Sequence, residues 1–168
     1  MRLSLLFLIA LQSMAQAAPT RKLSNFELYD QHERLRTYRF PKAKVTLMTV
    51  ADYRGAKQLE PWIAYAYQRF GRQIDIDGVA DVSGMPVLFH DLLRISLRKR
   101  LTHSVMLDWD GTVARRFDYQ RNIANVYIID PRGVITDHFS GMARQSGLQE
   151  LTEAIERALA AQIVTNRG

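Results

Sequence analysis

The residues best placed to do chemistry lie where an apolar run meets a helical segment: Val45-Thr46-Leu47-Met48-Thr49-Val50, then Asp52-Tyr53-Arg54-Gly55-Ala56, then a periodic stretch ending at Phe70. A buried strand delivering the chain to a helix N-terminus leaves unpaired N–H groups and the positive end of the helix dipole at the bend, which favours an anion there. Tyr53 and Arg54 would add an aromatic face and a fixed cation. No cysteine occurs at this junction or elsewhere in the 168 residues. Thiol catalysis, disulfide stapling and thiolate metal sites are therefore excluded together for this chain.

Other reactive side chains are scattered. His32, His90, His103 and His138 show no paired ligand spacing, and Asp75, Asp77 and Asp81 lack both a histidine partner and a calcium-loop spacing. No glycine-rich phosphate loop is present, so no catalytic residue, cofactor or metal ligand is assigned. Arg94, Arg98, Lys99 and Arg100 cluster at the end of one helical stretch, with His90 four residues before Arg94. That spacing fits an anionic partner or membrane surface, and it fits equally a solvated face whose cations sit against the helix C-terminal dipole.

The elements that must position these groups follow from period and turn chemistry. Asn25 to Phe40 alternates about Asp30-Gln31-His32 and predicts a β-hairpin. Val45 to Val50 reads as a central strand buried on both faces. Leu59, Trp62, Ile63, Ala66 and Phe70 recur at helical spacing, Gly71 closes the helix, and Pro61 either kinks its first turns or marks a fresh start. Ile74 to Asp81 is a second strand, Ser83-Gly84-Met85-Pro86 a turn, and Val87 to about Lys99 a second helix. A short strand at Val105 to Leu107, a brief segment from Thr112 to Phe117 and a strand at Asn125 to Ile129 come next. Asp130-Pro131-Arg132-Gly133 is a turn by composition, and Val134 to Phe139 returns from it. A final helix is expected to open at Ser146 with Gln149 completing a capping box, burying Leu148, Leu151, Ile155 and Leu159. Strands separated by helices imply parallel neighbours, with the last hairpin adding antiparallel pairing.

The chain is long enough for one domain with its own core. Arg2, the apolar run Leu3 to Ala10 and the small residues around Ala15 and Ala17 form a secretory signal pattern, with cleavage expected after Ala17. Residues 18–24 then read as a linker, 25–163 as the domain and 164–168 as a tail. Export places the protein outside the cytoplasm, in a periplasm or secreted. The formal charge of +6 belongs almost wholly to the mature chain, since Arg2 is the lone charged residue before Ala18. Such a surplus suits lipid head groups or acidic polymers; no nucleic-acid motif accompanies it.

Three stretches together resemble the thioredoxin-like superfamily, in particular its exported redoxin and peroxiredoxin-related group. Phe26-Glu27-Leu28-Tyr29-Asp30 is similar to the entry segment of redoxin domains. Tyr53-Arg54-Gly55-Ala56-Lys57, with Pro61 four residues on, has the spacing of the family's Cys-x-x-Cys-basic stretch and helix proline. Val126 to Ile135 resembles its strand, Asp-x-x-Gly turn and return strand. The resemblance implies a three-layer α/β/α sandwich with a mixed sheet and an N-terminal β-hairpin. It also implies that Tyr53 and Ala56 stand where the attacking and resolving cysteines would be, and Ala124, before Asn125, where a cis-proline would be. A non-proline cis bond costs about 2.5–4 kcal/mol, so a trans bond is expected there. The degenerate site would comprise Tyr53, Arg54, Gly55, Ala56, Ala124 and Asn125, and the leading reading is a non-catalytic pseudoenzyme, either a module that binds a protein, an extended peptide or a small anion in that groove or an envelope-associated module.

One alternative enters at Asp108-Trp109-Asp110-Gly111-Thr112, which resembles the first motif of haloacid-dehalogenase-type phosphatases. In that family the first aspartate attacks phosphorus, the second is the acid/base, and Mg²⁺ is bound by further carboxylates. The downstream lysine and late acidic pair of that chemistry are missing: no lysine follows Lys99. A strand-end turn that uses Asp and Gly for backbone reasons accounts for the same residues.

Overall fold

The computed structural model describes residues 21–165, so the expected signal segment and its cleavage near Ala17 lie outside the described residues, as does most of the tail. In chain order the elements are β1 (Arg21–Lys22), β2 (Phe26–Tyr29), β3 (Leu35–Tyr38), β4 (Thr46–Ala51), α1 (Glu60–Phe70), β5 (Asp75–Asp81), α2 (His90–Arg100), β6 (Met106–Asp108), α3 (Thr112–Arg116), β7 (Asn125–Ile129), β8 (Val134–Ser140) and α4 (Gln145–Thr165). A 3₁₀ turn over Gly55–Gln58 precedes α1.

Six strands form one mixed sheet in the order β1-β8-β7-β4-β5-β6, while β2 and β3 pair separately as the expected hairpin. β4 runs parallel to β5 and antiparallel to β7, and all six of its residues are buried. That is why its sequence is a continuous apolar and threonine run rather than an alternation. Arg21 and Lys22, expected as linker, instead pair with Ile135 and Val134, and Leu23 behind them is buried.

Alternate residues of the sheet feed two cores. On one face Leu47, Val126 and Ile128 meet Trp62, Ala66 and Phe70 of α1 and Leu151, Ala154 and Ile155 of α4. On the other, Met48, Val50, Tyr127 and Ile129 meet Phe26 and Tyr38 of the hairpin and Val113 and Phe117 around α3. Each fully buried aliphatic or aromatic side chain here contributes roughly 1.5–3 kcal/mol. α1 starts afresh after the 3₁₀ turn with Pro61 in its first turn, where a missing N–H costs nothing, and Gly71 ends it at φ 46°. α4 begins at Gln145, so Ser146 lies inside its first turn and does not cap it.

α2 differs from every other long helix in burying none of its residues. Consecutive parallel strands β4, β5 and β6 joined by right-handed crossovers place α1 and α2 on the same side of the sheet. Beneath α2 the sheet carries the small residues Gly78 and Ala80, and a cavity of about 170 Å³ lined also by Ile76 and Val105 lies between them and Leu97 and Leu101. A clamp at each end holds the helix. His90 stacks on Trp109 at 3.7 Å between ring centres, and Arg98 donates to the Gln31 carbonyl and to Glu33 in the hairpin turn.

Candidate functional site

The junction after β4 is built by Asp52. Its Oδ1 accepts from the Arg54 and Gly55 amides at 3.1 and 2.9 Å, which turns the chain out of the strand, and its Oδ2 accepts from the Asn122 amide at 2.9 Å. One carboxylate thus holds both the 3₁₀ turn and the loop that leads into β7. Gln58, at the end of that turn, makes the second stitch: its Nε2 donates to the Asn122 carbonyl and its Oε1 accepts from the Ala124 amide, both at 3.4 Å. Gly55 is buried between them, and a Cβ placed on it would lie 2.7 Å from the Ile123 carbonyl carbon. The glycine is required by this close approach of two backbones.

The loop opposite is fixed from below. Ala124 and Asn125 are fully buried. Asn125 donates through Nδ2 to the Gln120 and Ile123 carbonyls, and its Oδ1 accepts from the Gln120 amide at 2.9 Å and lies 3.1 Å from His138 Nε2. His138 stacks on Tyr127, and burial pulls its pKa below the ordinary imidazole value. The Ala124 carbonyl accepts from Gly141, whose own carbonyl accepts from Trp62 Nε1. Among the described residues the cis peptide is Phe40–Pro41, so the bond before Ala124 is trans as expected. Ala124 and Asn125 therefore hold the loop in place and offer no side chain to a ligand, in contrast to the opposing wall expected from sequence.

Tyr53 and Arg54 do face solvent. Tyr53 is 68% exposed, with the Lys57 ammonium 4.6 Å from its ring centre, and the Arg54 guanidinium has no hydrogen-bond or ion-pair partner among the described residues. Beside them opens a cleft of about 420 Å³. Ala56, Ala80, Val82, Met85, Leu93 and Leu97 give it an apolar lining, and Tyr53, Arg54, Asp81, Arg121 and Asn122 supply its polar groups. Asp81 is nearly buried. Burial alone would raise its pKa, but hydrogen bonds from Ser83 and from the Tyr119 hydroxyl, with Arg121 at 3.7 Å, hold it below the usual carboxylate value. Burial and the bond to Asp81 push the Tyr119 phenol upward in turn. The cleft is thus an apolar slot with one uncommitted cation at its mouth.

No family model and no curated sequence matches this chain. Solved structures do. A thiol:disulfide interchange protein of the DsbE type from Chlorobium tepidum superposes with a TM-score of 0.64 at 15% identity, covering 86% of this chain and 99% of the other. The exposed lipoprotein thioredoxin Etrx1 of Streptococcus pneumoniae gives 0.59 at 14% identity, over 77% and 99%. StoA of Bacillus subtilis gives 0.58 at 15%, over 83% and 98%. The chain has the thioredoxin fold. At these identities the likeness establishes the fold alone, and this thioredoxin-fold chain carries no cysteine with which to exchange disulfides.

The remaining constellations resolve into structural roles. Asp108 is fully buried at the end of β6, its Oδ2 accepting from the Ala114 amide at 2.6 Å to anchor α3. Burial, and then neighbouring Asp110, raise its pKa, whereas the Thr112 amide lowers that of Asp110. Buried and engaged by the α3 backbone, this carboxyl is closed to an incoming phosphate. Among the described residues no group of acidic or histidine side chains is arranged to hold a metal. Nothing in the comparisons supports phosphoryl transfer. Asp75 and Asp77 face Lys42, Lys44 and Arg36 in an ion-pair cluster, with the Tyr38 hydroxyl donating to Asp77. Of the four α2 cations, Arg94 is paired with Asp91 at 2.6 Å and lies over the Trp109 ring, and Arg98 is tied to the hairpin; Lys99 and Arg100 have no partner among the described residues.

Sequence reasoning named Asp52 without its bridging role, and missed Gln58 and the α2 wall of the cleft. An aspartate followed closely by glycine at a strand end is an Asx-turn signal and could have marked the first. Gln58 and Leu93 carry no comparable local sign.

Proposed function

We propose that this chain is an exported, non-catalytic binding module of thioredoxin fold that holds an extended peptide at the Tyr53–Arg54 junction. The observation that carries the reading is the conjunction at one strand end: an apolar cleft, an exposed aromatic and an unpaired guanidinium, with no thiol present. A peptide would place one apolar side chain against Ala56, Ala80 and Leu97 and a carboxylate beside Arg54, where an arginine can bind it in a bidentate manner. Tyr53 would pack against the peptide backbone. Because Asp52 and Gln58 fix both sides of the junction, the surface is preformed and little ordering cost falls on the protein. Export is supported by the N-terminal residue pattern and by likeness to an exposed lipoprotein thioredoxin.

The test is a two-dimensional NMR titration of the chain from Ala18 onward with short peptides carrying Leu or Phe next to Glu. Shifts confined to residues 52–56, 80–85, 93, 97 and 121–122 would support the reading. Absence of any shift there, or disulfide reduction clearly faster than by a Tyr53→Ala/Arg54→Ala variant, would overturn it.

A further inference from the structure

Among the described residues, the outward face of α2 and the turn before it carry a run of exposed apolar side chains. Val87 is 80% exposed, Leu88 84% and Leu92 62%, with Ile95 and Phe89 near half. Leu88, Leu92, Ile95 and Lys99 follow one another at i, i+4, i+7 and i+11, so they form a single line along the helix. The opposite line, Leu93 and Leu97, faces the cleft. α2 is therefore apolar on two sides, and among the described residues only the inner one has a protein surface beneath it.

We propose that this outer face docks flat on an anionic lipid bilayer. The charges around it argue for that occupant. The one carboxylate of α2, Asp91, is neutralised by Arg94, while Lys99 at the end of the apolar line and Arg100 beside it have no partner among the described residues. Apolar side chains flanked by free cations match an acyl boundary capped by anionic head groups. The stretch from Val87 to Arg100 spans about 20 Å at 1.5 Å per residue, which suits a helix lying in the interface and is too short for a span. Docking needs no unfolding, because the Trp109 stack and the Arg98 clamp already present the helix rigidly. A second copy is disfavoured as occupant, since pairing this face with itself would bring two sets of unbalanced cations together.

The experiment uses the chain from Ala18 onward, because both cores close within residues 21–165. Sedimentation with sucrose-loaded vesicles would compare phosphatidylcholine alone with phosphatidylcholine containing about a third phosphatidylglycerol. The expected result is binding to the anionic vesicles that weakens with salt and is at least tenfold weaker on neutral ones. Two free cations near an anionic surface strengthen binding about fivefold each, so Lys99→Glu/Arg100→Glu should lower affinity at least 20-fold. Leu88→Ser/Leu92→Ser should lower it at least tenfold without changing the thermal midpoint, as both residues are exposed. Equal binding to both vesicle types, no binding, or retention of full affinity by the leucine double variant would overturn the proposal. So would a concentration-dependent dimer that Leu92→Ser converts to monomer.

Discussion

Gly55→Ala is the substitution that most sharply probes how the junction is held. The new methyl would stand 2.7 Å from the Ile123 carbonyl carbon, where carbon atoms normally rest about 3.5–4.0 Å apart. The obstacle is backbone on both sides, so the two segments must part by about 1 Å. Overpacking of this kind costs about 1–3 kcal/mol. The parting also loosens the bonds from Asn122 to Asp52 and between Gln58 and Ala124, each contributing about 0.5–1.5 kcal/mol. The expected loss is ~2–4 kcal/mol, read from the urea midpoint at constant slope, with large amide shifts at residues 52–58 and 121–125. Gly84→Ala is the control, because nothing lies within 4 Å of its new methyl. It should change stability by less than about 0.5 kcal/mol. A Gly55→Ala loss no larger than that of Gly84→Ala would refute the close approach on which the preformed site depends.

Asp52→Ala removes the acceptor for three amides and should cost about 1–3 kcal/mol, with faster hydrogen exchange at Gly55 and Asn122 than elsewhere in the sheet. The folded chain resists protonating His138, whose pKa burial holds below 6.5. The unfolded chain therefore binds that proton first, and stability should fall as pH drops below about 6.5, with a slope of up to ~1.4 kcal/mol per unit from this group. Denaturation measured between neutral and mildly acidic pH should show that slope, and His138→Gln should reduce it. Asp108 is the opposite case. Its folded pKa is raised, so its contribution to stability declines as pH rises from about 3.8 through the folded value. Asp108→Asn should accordingly be neutral or stabilising at pH 7, measured by thermal unfolding.

Much of the scaffold could be read from the chain because its signals are local. The unbroken run at Val45 to Val50, the helix spacing from Leu59 to Phe70 and the Asp130-Pro131-Arg132-Gly133 turn each define an element without outside help. The strand-to-helix order marked Tyr53, Arg54 and Ala56 as a junction, while the cleft that they line also needs Leu93 and Leu97 of α2. What stayed hidden depends on distant partners. β1 is two residues long and exists through pairing with β8. Asp52 and Gln58 find their partners more than 60 residues away. Asn125 was read as a groove residue, yet burial beside His138 turns it inward. The outer apolar line of α2 was masked because leucines ring that helix, and only packing distinguishes the covered side from the open one.

The central claim is that recognition at this junction uses the apolar cleft together with Arg54. The most direct measurement is the affinity of the best acidic Leu- or Phe-containing peptide for the chain from Ala18 onward, compared with Ala56→Trp and Arg54→Ala. Ala56 is exposed at the cleft wall, so tryptophan there fills the slot without entering the core. The account predicts binding that Ala56→Trp abolishes and Arg54→Ala weakens about tenfold, the scale of one charge-assisted contact of about 1.5–3 kcal/mol. Unchanged affinity in both variants would contradict it.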